Sequence, residues 1–263
     1  LASEFAWERP EQVPGLAEGG LQVWRLDARG DAGVRLAAEC LELLSAEERV
    51  RAGEFRVELA RREFVVGRGL LRRLLGAALG CDPKDVEVSF GENGKPQVTG
   101  ARGVEFNLSH SGGLILAAVS RGSAVGIDVE WVDAGFADRE ELWAIADANF
   151  ALEDVYLIGQ AGSDEARLRA FYEAWTRKEA VSKVDGQGIA VARKSGEGAA
   201  GEGLMRVSAA DGWDDRGGGG YLLRRLALGE DFVGAVARAG EPVSAELFDA
   251  AGLFGDRASG DFR

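Results

Sequence analysis

One histidine, one methionine, two cysteines and five prolines stand among 263 residues, and each scarcity excludes something. With His110 the only imidazole, a zinc site built on several histidines is out of reach, and a Ser-His-Asp triad would have to use that one residue. Cys40 and Cys81 can make at most one bridge and lie in no C-x-x-C or zinc-spaced pattern. They read as reduced thiols of a cytoplasmic protein. The longest uncharged run, 106–120, holds 15 residues, among them Asn107, Ser109 and His110. It is too short and too polar for a bilayer, which takes about 20 apolar residues. No apolar stretch opens the chain, so no signal peptide and no membrane association are expected. Positive charge is short as well: 31 Lys and Arg face 44 Asp and Glu, a net charge of −13. That balance argues against nucleic acid as a partner. An anionic ligand therefore needs a local basic patch or a metal.

What is present describes a globular chain, 46% hydrophobic and 29% charged, long enough for one large domain or two small ones. Residues 21–26 alternate apolar and polar, the period of a half-buried strand. Ser45-Ala46-Glu47-Glu48 has the form of a capping box opening a helix. Apolar positions from Leu59 to Ala78 predict a long helix over 58–79, ended by Gly80. Short strands are predicted at 86–90, 104–108, 114–119 and 123–129, the last two joined by a hairpin turn at Ser120-Arg121-Gly122. Helices then follow at 140–149, 152–159 and 164–184, and strands at 204–207, 221–228 and 232–237. Glycine-rich connections fill 186–203 and 211–220. The last residues, 241–263, read as an appended tail with a helical piece over 245–251. Both halves place helices before a small set of strands. The expectation is α+β, with two pseudo-symmetric lobes, each a small antiparallel sheet packed with helices: a first lobe over 1–122, a second over 123–240, and the active site in the cleft between them.

Three stretches carry residues suited to chemistry. In Gly126-Ile127-Asp128-Val129-Glu130, alternation puts Asp128 and Glu130 on one strand face, where paired carboxylates call for a cation; a solvated strand has the same pattern. Phe171, Trp175, Glu179 and Lys183 recur every fourth residue, a helix stripe that is apolar first and charged last. An ordinary ion pair has that spacing too. With so few imidazoles and thiols, any metal here is a hard ion on oxygen ligands, such as Mg²⁺. The third feature is a polar loop: Glu92-Asn93-Gly94-Lys95-Pro96 places a cation on a tight turn, and Phe106-Asn107-Leu108-Ser109-His110-Ser111-Gly112 brings hydroxyls and an imidazole to a strand end with glycine for close approach, the small donors a phosphate needs. A structural turn and a buried, hydrogen-bonded histidine are the competing explanations. Between Arg49 and Arg73, eight arginines face three glutamates, a basic excess fit for an anion or an acidic partner.

Taken together these stretches resemble the 4′-phosphopantetheinyl transferase superfamily in its two-lobed, surfactin-synthetase-activating type. Gly94-Lys95-Pro96 with Phe106 to Ser111, then Gly126 to Glu130, then Trp175-Thr176-Arg177-Lys178-Glu179-Ala180 with Lys183 carry the likeness. The resemblance implies transfer of the phosphopantetheine arm of coenzyme A to a serine of an apo acyl or peptidyl carrier protein, with Mg²⁺, releasing adenosine 3′,5′-bisphosphate. By the same resemblance Asp128, Glu130 and Glu179 would hold the metal. Glu179 and Lys183 would act in catalysis, and Arg51, Arg62, Lys95, Ser109, His110 and Lys183 would bind the nucleotide's phosphates. A cytoplasmic monomer is implied; the alternative is a catalytically silent binding module of the same fold. Glu48 stands where some members of that family carry a lysine.

Overall fold

In the computed structural model, which describes residues 6–91, 95–101, 103–133, 139–186, 213–214, 220–241 and 243–254, the periodicities of the sequence become two four-stranded sheets. Each is backed by one long helix. The first sheet contains β1 (Leu21–Asp27), β4 (Val104–Ser111), β5 (Leu114–Arg121) and β10 (Ala245–Asp249), in the order β10-β1-β5-β4. Against it lie α1 (Gly30–Leu41), α2 (Ala46–Glu54) and α3 (Glu58–Leu79), with a small ribbon of β2 (Val88–Phe90) and β3 (Pro96–Val98) at the side. The second sheet orders β6 (Val125–Trp131), β9 (Phe232–Ala239), β8 (Tyr221–Arg225) and β7 (Trp213–Asp214). Its helices are α4 (Arg139–Asn149), α5 (Leu152–Gly159) and α6 (Asp164–Asp185).

Local chemistry accounts for most boundaries. Ser45 Oγ accepts from the Glu48 backbone N–H at 3.2 Å, and Glu48 returns a carboxylate to the Ser45 N–H at 3.0 Å, the reciprocal cap that starts α2. Gly80 ends α3 in the left-handed conformation, φ 73°, which costs glycine nothing. Leu70, Leu71, Leu74 and Leu75 of α3 are almost fully buried and join the core beneath β1 and β5. On the other side α6 lies close on β6. A Cβ added to Gly126 would stand 2.0 Å from the Ala180 carbonyl oxygen, so only glycine admits the helix at that distance.

Two expectations are corrected. The Ser120–Gly122 segment does not close a hairpin: β5 is flanked by β1 and β4 and has no free edge, so the chain crosses to the second sheet, where β6 pairs with β9. The hairpin is instead β4–β5, turned by Gly112 and Gly113 at φ 56° and 88°, the positive values a two-residue turn requires. Residues 245–249, read as helical, form β10, which runs parallel to β1 and makes the first sheet mixed. Its side chains enter two cores at once, Leu247 on one face and Phe248 against Trp24 on the other, with ring centroids 4.5 Å apart. A strand buried on both faces loses the alternation by which it would be recognised. The strand expected at 204–207, residues 187–212 and 215–219 of the glycine-rich tracts, and the tail beyond 254 lie outside the described residues. Among the described residues no helix is long and apolar enough to cross a membrane.

Candidate active site

Where the sheets meet, the edges β4 and β6 are joined by side chains. Alternate residues of β4 reach across in turn: Asn107 Oδ1 accepts from the Ile127 N–H at 2.9 Å, and Ser109 Oγ donates to Asp128 Oδ1 at 2.9 Å. Ser111 Oγ donates to Glu130 Oε2 at 2.9 Å and accepts from the Trp131 N–H at 3.1 Å. The stretch expected to bring hydroxyls and an imidazole to a strand end is strand as far as Ser111, and its two-residue period makes a polar seam. Asn107 and Ser111 have the seam as their role.

A cavity of about 380 Å³ opens on that seam, lined by Ser109, His110, Asp128, Glu130, Trp175, Glu179 and Lys183 among others. Gly126 lets α6 approach, and one turn beyond Ala180 it delivers Lys183. That ammonium donates to Asp128 Oδ1 at 2.6 Å, Ser109 Oγ at 3.1 Å and the Ile127 carbonyl at 3.2 Å. Trp175, 6.4 Å from Phe171 centroid to centroid in a stacked arrangement, anchors the same helix face.

The electrostatics are those of acids crowded together. Burial pushes the Asp128 carboxyl above its ordinary value against the pull of Lys183 and Ser109. Burial and the neighbouring Asp128 raise Glu130, and the same two causes raise Glu179. Asp128 Oδ2 and Glu179 Oε1 are buried with no hydrogen-bond partner. Buried acceptors without donors cost free energy until a donor or a cation reaches them. As the side chains lie, no three His, Cys, Asp or Glu among the described residues form a cluster able to hold a metal, and Lys183 holds Asp128 Oδ1. The all-oxygen donor set and the two orphaned oxygens nevertheless fit a hard divalent ion.

Of the remaining predicted residues only His110 is among those lining this cavity; Lys95, Arg51 and Arg62 are not. His110 lines it, its Nδ1 3.3 Å from Glu63 Oε2. Lys95 donates to the Val184 carbonyl at 2.6 Å and stands 3.8 Å from Glu105, next to the end of α6. Arg62 donates to the carbonyls of Ala28 and Gly30, and Arg51 lies over the Phe64 ring at 5.6 Å. Gly94 of the first turn lies outside the described residues. Other arginines of the basic run hold the first lobe together: Arg72 pairs with Glu48 at 2.7 Å, and Arg73 donates to the Leu253 carbonyl at 2.8 Å. Glu48 therefore has a structural task as cap and counter-ion. Sequence reasoning missed Glu63, which is 47 residues from His110 in the chain and carries no local signal of the contact.

Residues 35–121 match the family described as 4′-phosphopantetheinyl transferase, N-terminal, and residues 124–196 match the 4′-phosphopantetheinyl transferase superfamily. The chain is 38% identical to the 4′-phosphopantetheinyl transferase HetI of Nostoc sp. over 151 residues, 56% of this chain and 61% of that one. It is 35% identical over 126 residues to the 4′-phosphopantetheinyl transferase AcpT of Salmonella typhi, 48% of this chain and 59% of the other. With the 4′-phosphopantetheinyl transferase psf-1 of Bacillus pumilus it shares 30% identity over 169 residues, 63% of this chain and 68% of the relative. The chain thus spans about three fifths of the length of HetI and of AcpT. The two matched stretches meet at the crossover from the first sheet to the second, and between them they hold every residue lining the cavity. The chain belongs to the 4′-phosphopantetheinyl transferase superfamily.

Proposed function

We propose that this protein transfers the 4′-phosphopantetheine group of coenzyme A to a serine hydroxyl of an apo acyl or peptidyl carrier protein, releasing adenosine 3′,5′-bisphosphate. The observation that carries the reading is the gathering of Asp128, Glu130, Glu179 and Lys183 around one cavity, with two carboxylate oxygens buried and unpartnered. Mg²⁺ held by the three carboxylates would neutralise charge on the diphosphate where the phosphorus–oxygen bond breaks. The serine nucleophile comes from the carrier, so the chain needs none of its own.

The chain's own groups then bind, orient and move protons. Lys183, at the cavity wall, steadies or protonates the departing phosphate. Glu179, at the same cavity wall, is the candidate to take the serine proton. Ser109 and His110 face the nucleotide's phosphates from β4. Lys95, Arg62 and Arg51 would bind those phosphates by leaving their present partners, the Val184 and Ala28 carbonyls and the Phe64 ring.

The test is the mass of an apo-carrier incubated with coenzyme A and Mg²⁺. Asp128→Ala and Glu179→Ala are expected to remain folded and to lose transfer by roughly 100-fold or more, and a chelator is expected to abolish it. Undiminished transfer by either variant, or in the presence of chelator, overturns the assigned site. Binding of coenzyme A with no mass gain on any of a panel of carriers indicates a silent binding module.

A further inference from the structure

Glu63 of α3 is buried, 7% exposed, and is not among the residues lining the cavity. Its two oxygens both serve the β4–β5 hairpin. Oε1 accepts from the Gly113 N–H at 2.6 Å, and Oε2 stands 3.3 Å from Nδ1 of His110. Burial pushes its carboxyl up, but the hydrogen bonds from His110 and Gly113 outweigh burial and hold it below the ordinary value. A carboxylate kept ionised inside a protein needs both oxygens served.

Tying down the turn would take only the Gly113 bond. The His110 side chain is 41% exposed, so burial does not oblige it to find a partner. Yet the imidazole turns one nitrogen to Glu63, and this leaves Nε2 as the nitrogen available to the cavity its ring lines. A carboxylate that accepts from one ring nitrogen fixes both the tautomer and the orientation of the other.

We propose that Glu63 is a positioning residue for His110: by accepting from Nδ1–H it places the neutral ring's proton on Nδ1 and fixes the ring's orientation, and in the doubly protonated ring it supports Nε2–H as a donor to an anionic phosphate in the cavity. The role at the phosphate rests on the proposed transfer reaction; the tautomer does not. With Glu63 on one side and a phosphate on the other, both ring nitrogens meet acceptors, and the ring serves as a charge-assisted donor. In Glu63→Gln, the Gly113 N–H retains the amide oxygen at the Oε1 position, which puts the amide NH₂ against Nδ1. A donor there forces the neutral ring to protonate at Nε2.

His110 is the only histidine, so a protein labelled with ¹⁵N-histidine gives one imidazole signal set. Recorded where the imidazole signals themselves report a neutral ring, the wild-type ring is expected to carry its proton on Nδ1. Glu63→Gln is expected to carry it on Nε2. Wild-type protonation at Nε2, or identical spectra for the two proteins, overturns the proposal; the wild-type spectrum decides it even if the variant does not fold. In the transfer assay, Glu63→Gln is expected to raise the KM for coenzyme A about tenfold with kcat little changed, since the Nε2–H bond to the phosphate loses its charge assistance. It is expected to have no further effect in a His110→Ala background. An equal effect in that background means that Glu63 acts through the turn, and overturns the positioning role. A tautomer switch together with an unchanged KM in His110→Ala upholds the Glu63–His110 linkage and overturns the phosphate role of His110.

Discussion

The helices α3 and α6 are each 22 residues long, and each ends in a left-handed glycine, Gly80 or Gly186. They lie on the two sheets in comparable ways and are used for opposite purposes. The sheet-facing side of α3 is almost wholly apolar, Val65, Val66, Leu70, Leu71, Leu74 and Leu75 being buried to within 1%. In α6 the buried positions are mixed: Phe171, Ala174, Ala180 and Val184 sit among buried Thr176, Arg177 and Ser182, with Glu179 and Lys183 at the cavity. A helix that delivers charges to a cleft gives up apolar area, and α6 recovers close contact by backbone approach at Gly126. The first lobe supplies mainly scaffold and the second most of the charged cavity lining, to which the first lobe adds Ser109 and His110.

That contrast can be broken by mutation, and the largest effect is expected in the scaffold helix. Leu74→Ala should cost about 2–5 kcal/mol in denaturant unfolding while leaving transfer per folded molecule nearly intact. A comparable loss of specific activity would show that α3 does more than support. Next, Gly126→Ala places a Cβ 2.0 Å from the Ala180 oxygen, and Gly69→Ala places one 2.4 Å from Cys40 Cβ. Each overpacks a helix contact and should lose about 1–3 kcal/mol, read as melting temperature. Only Gly126→Ala should also lose transfer activity, because it moves α6 and Lys183 away from Asp128.

A smaller effect carries the opposite sign. Burial and Asp128 raise the Glu179 carboxyl, so the folded value exceeds the unfolded one. The native state then binds the proton more readily than the unfolded state, and stability falls as pH rises from the ordinary carboxylate value through the folded one. Glu179→Gln removes that loss and should melt about 2–4 °C higher than wild type at neutral pH, with the gap closing below the ordinary glutamate range. A gap that does not vary with pH, or a lower melting point, contradicts the account. The least perturbing test uses thiol reagents. Burial pushes the Cys40 thiol up to about 12, beneath Gly69, whereas Cys81 is exposed. One alkylated thiol per native molecule is expected by mass spectrometry, and two after denaturation.

Much of this was legible in the sequence because it is local. The bounds of α3 and α5, the Ser45 cap, and the shared face of Asp128 and Glu130 all follow from periodicity or from chemistry within a few residues. What escaped was non-local. The Ser120–Gly122 turn has ordinary hairpin residues, and only the occupation of both edges of β5 by β1 and β4 forbids a hairpin there. The same holds for the seam, where Asn107, Ser109 and Ser111 look like donors for a phosphate until β6 is set opposite them. Glu63 reads as one more charge on a basic helix, and its meaning depends on a hairpin 47 residues away.

The parallel pairing of β10 with β1 bears on how the molecule comes into being. β1 lies near the start of the described chain and its outer neighbour near the end, with the whole second sheet between them in sequence. During synthesis the first lobe has its helices and three of its strands in hand while Trp24 still waits for Phe248. The early half is therefore finished last, so a nascent chain halted after β9 would emerge with its second sheet assembled and the older one ajar.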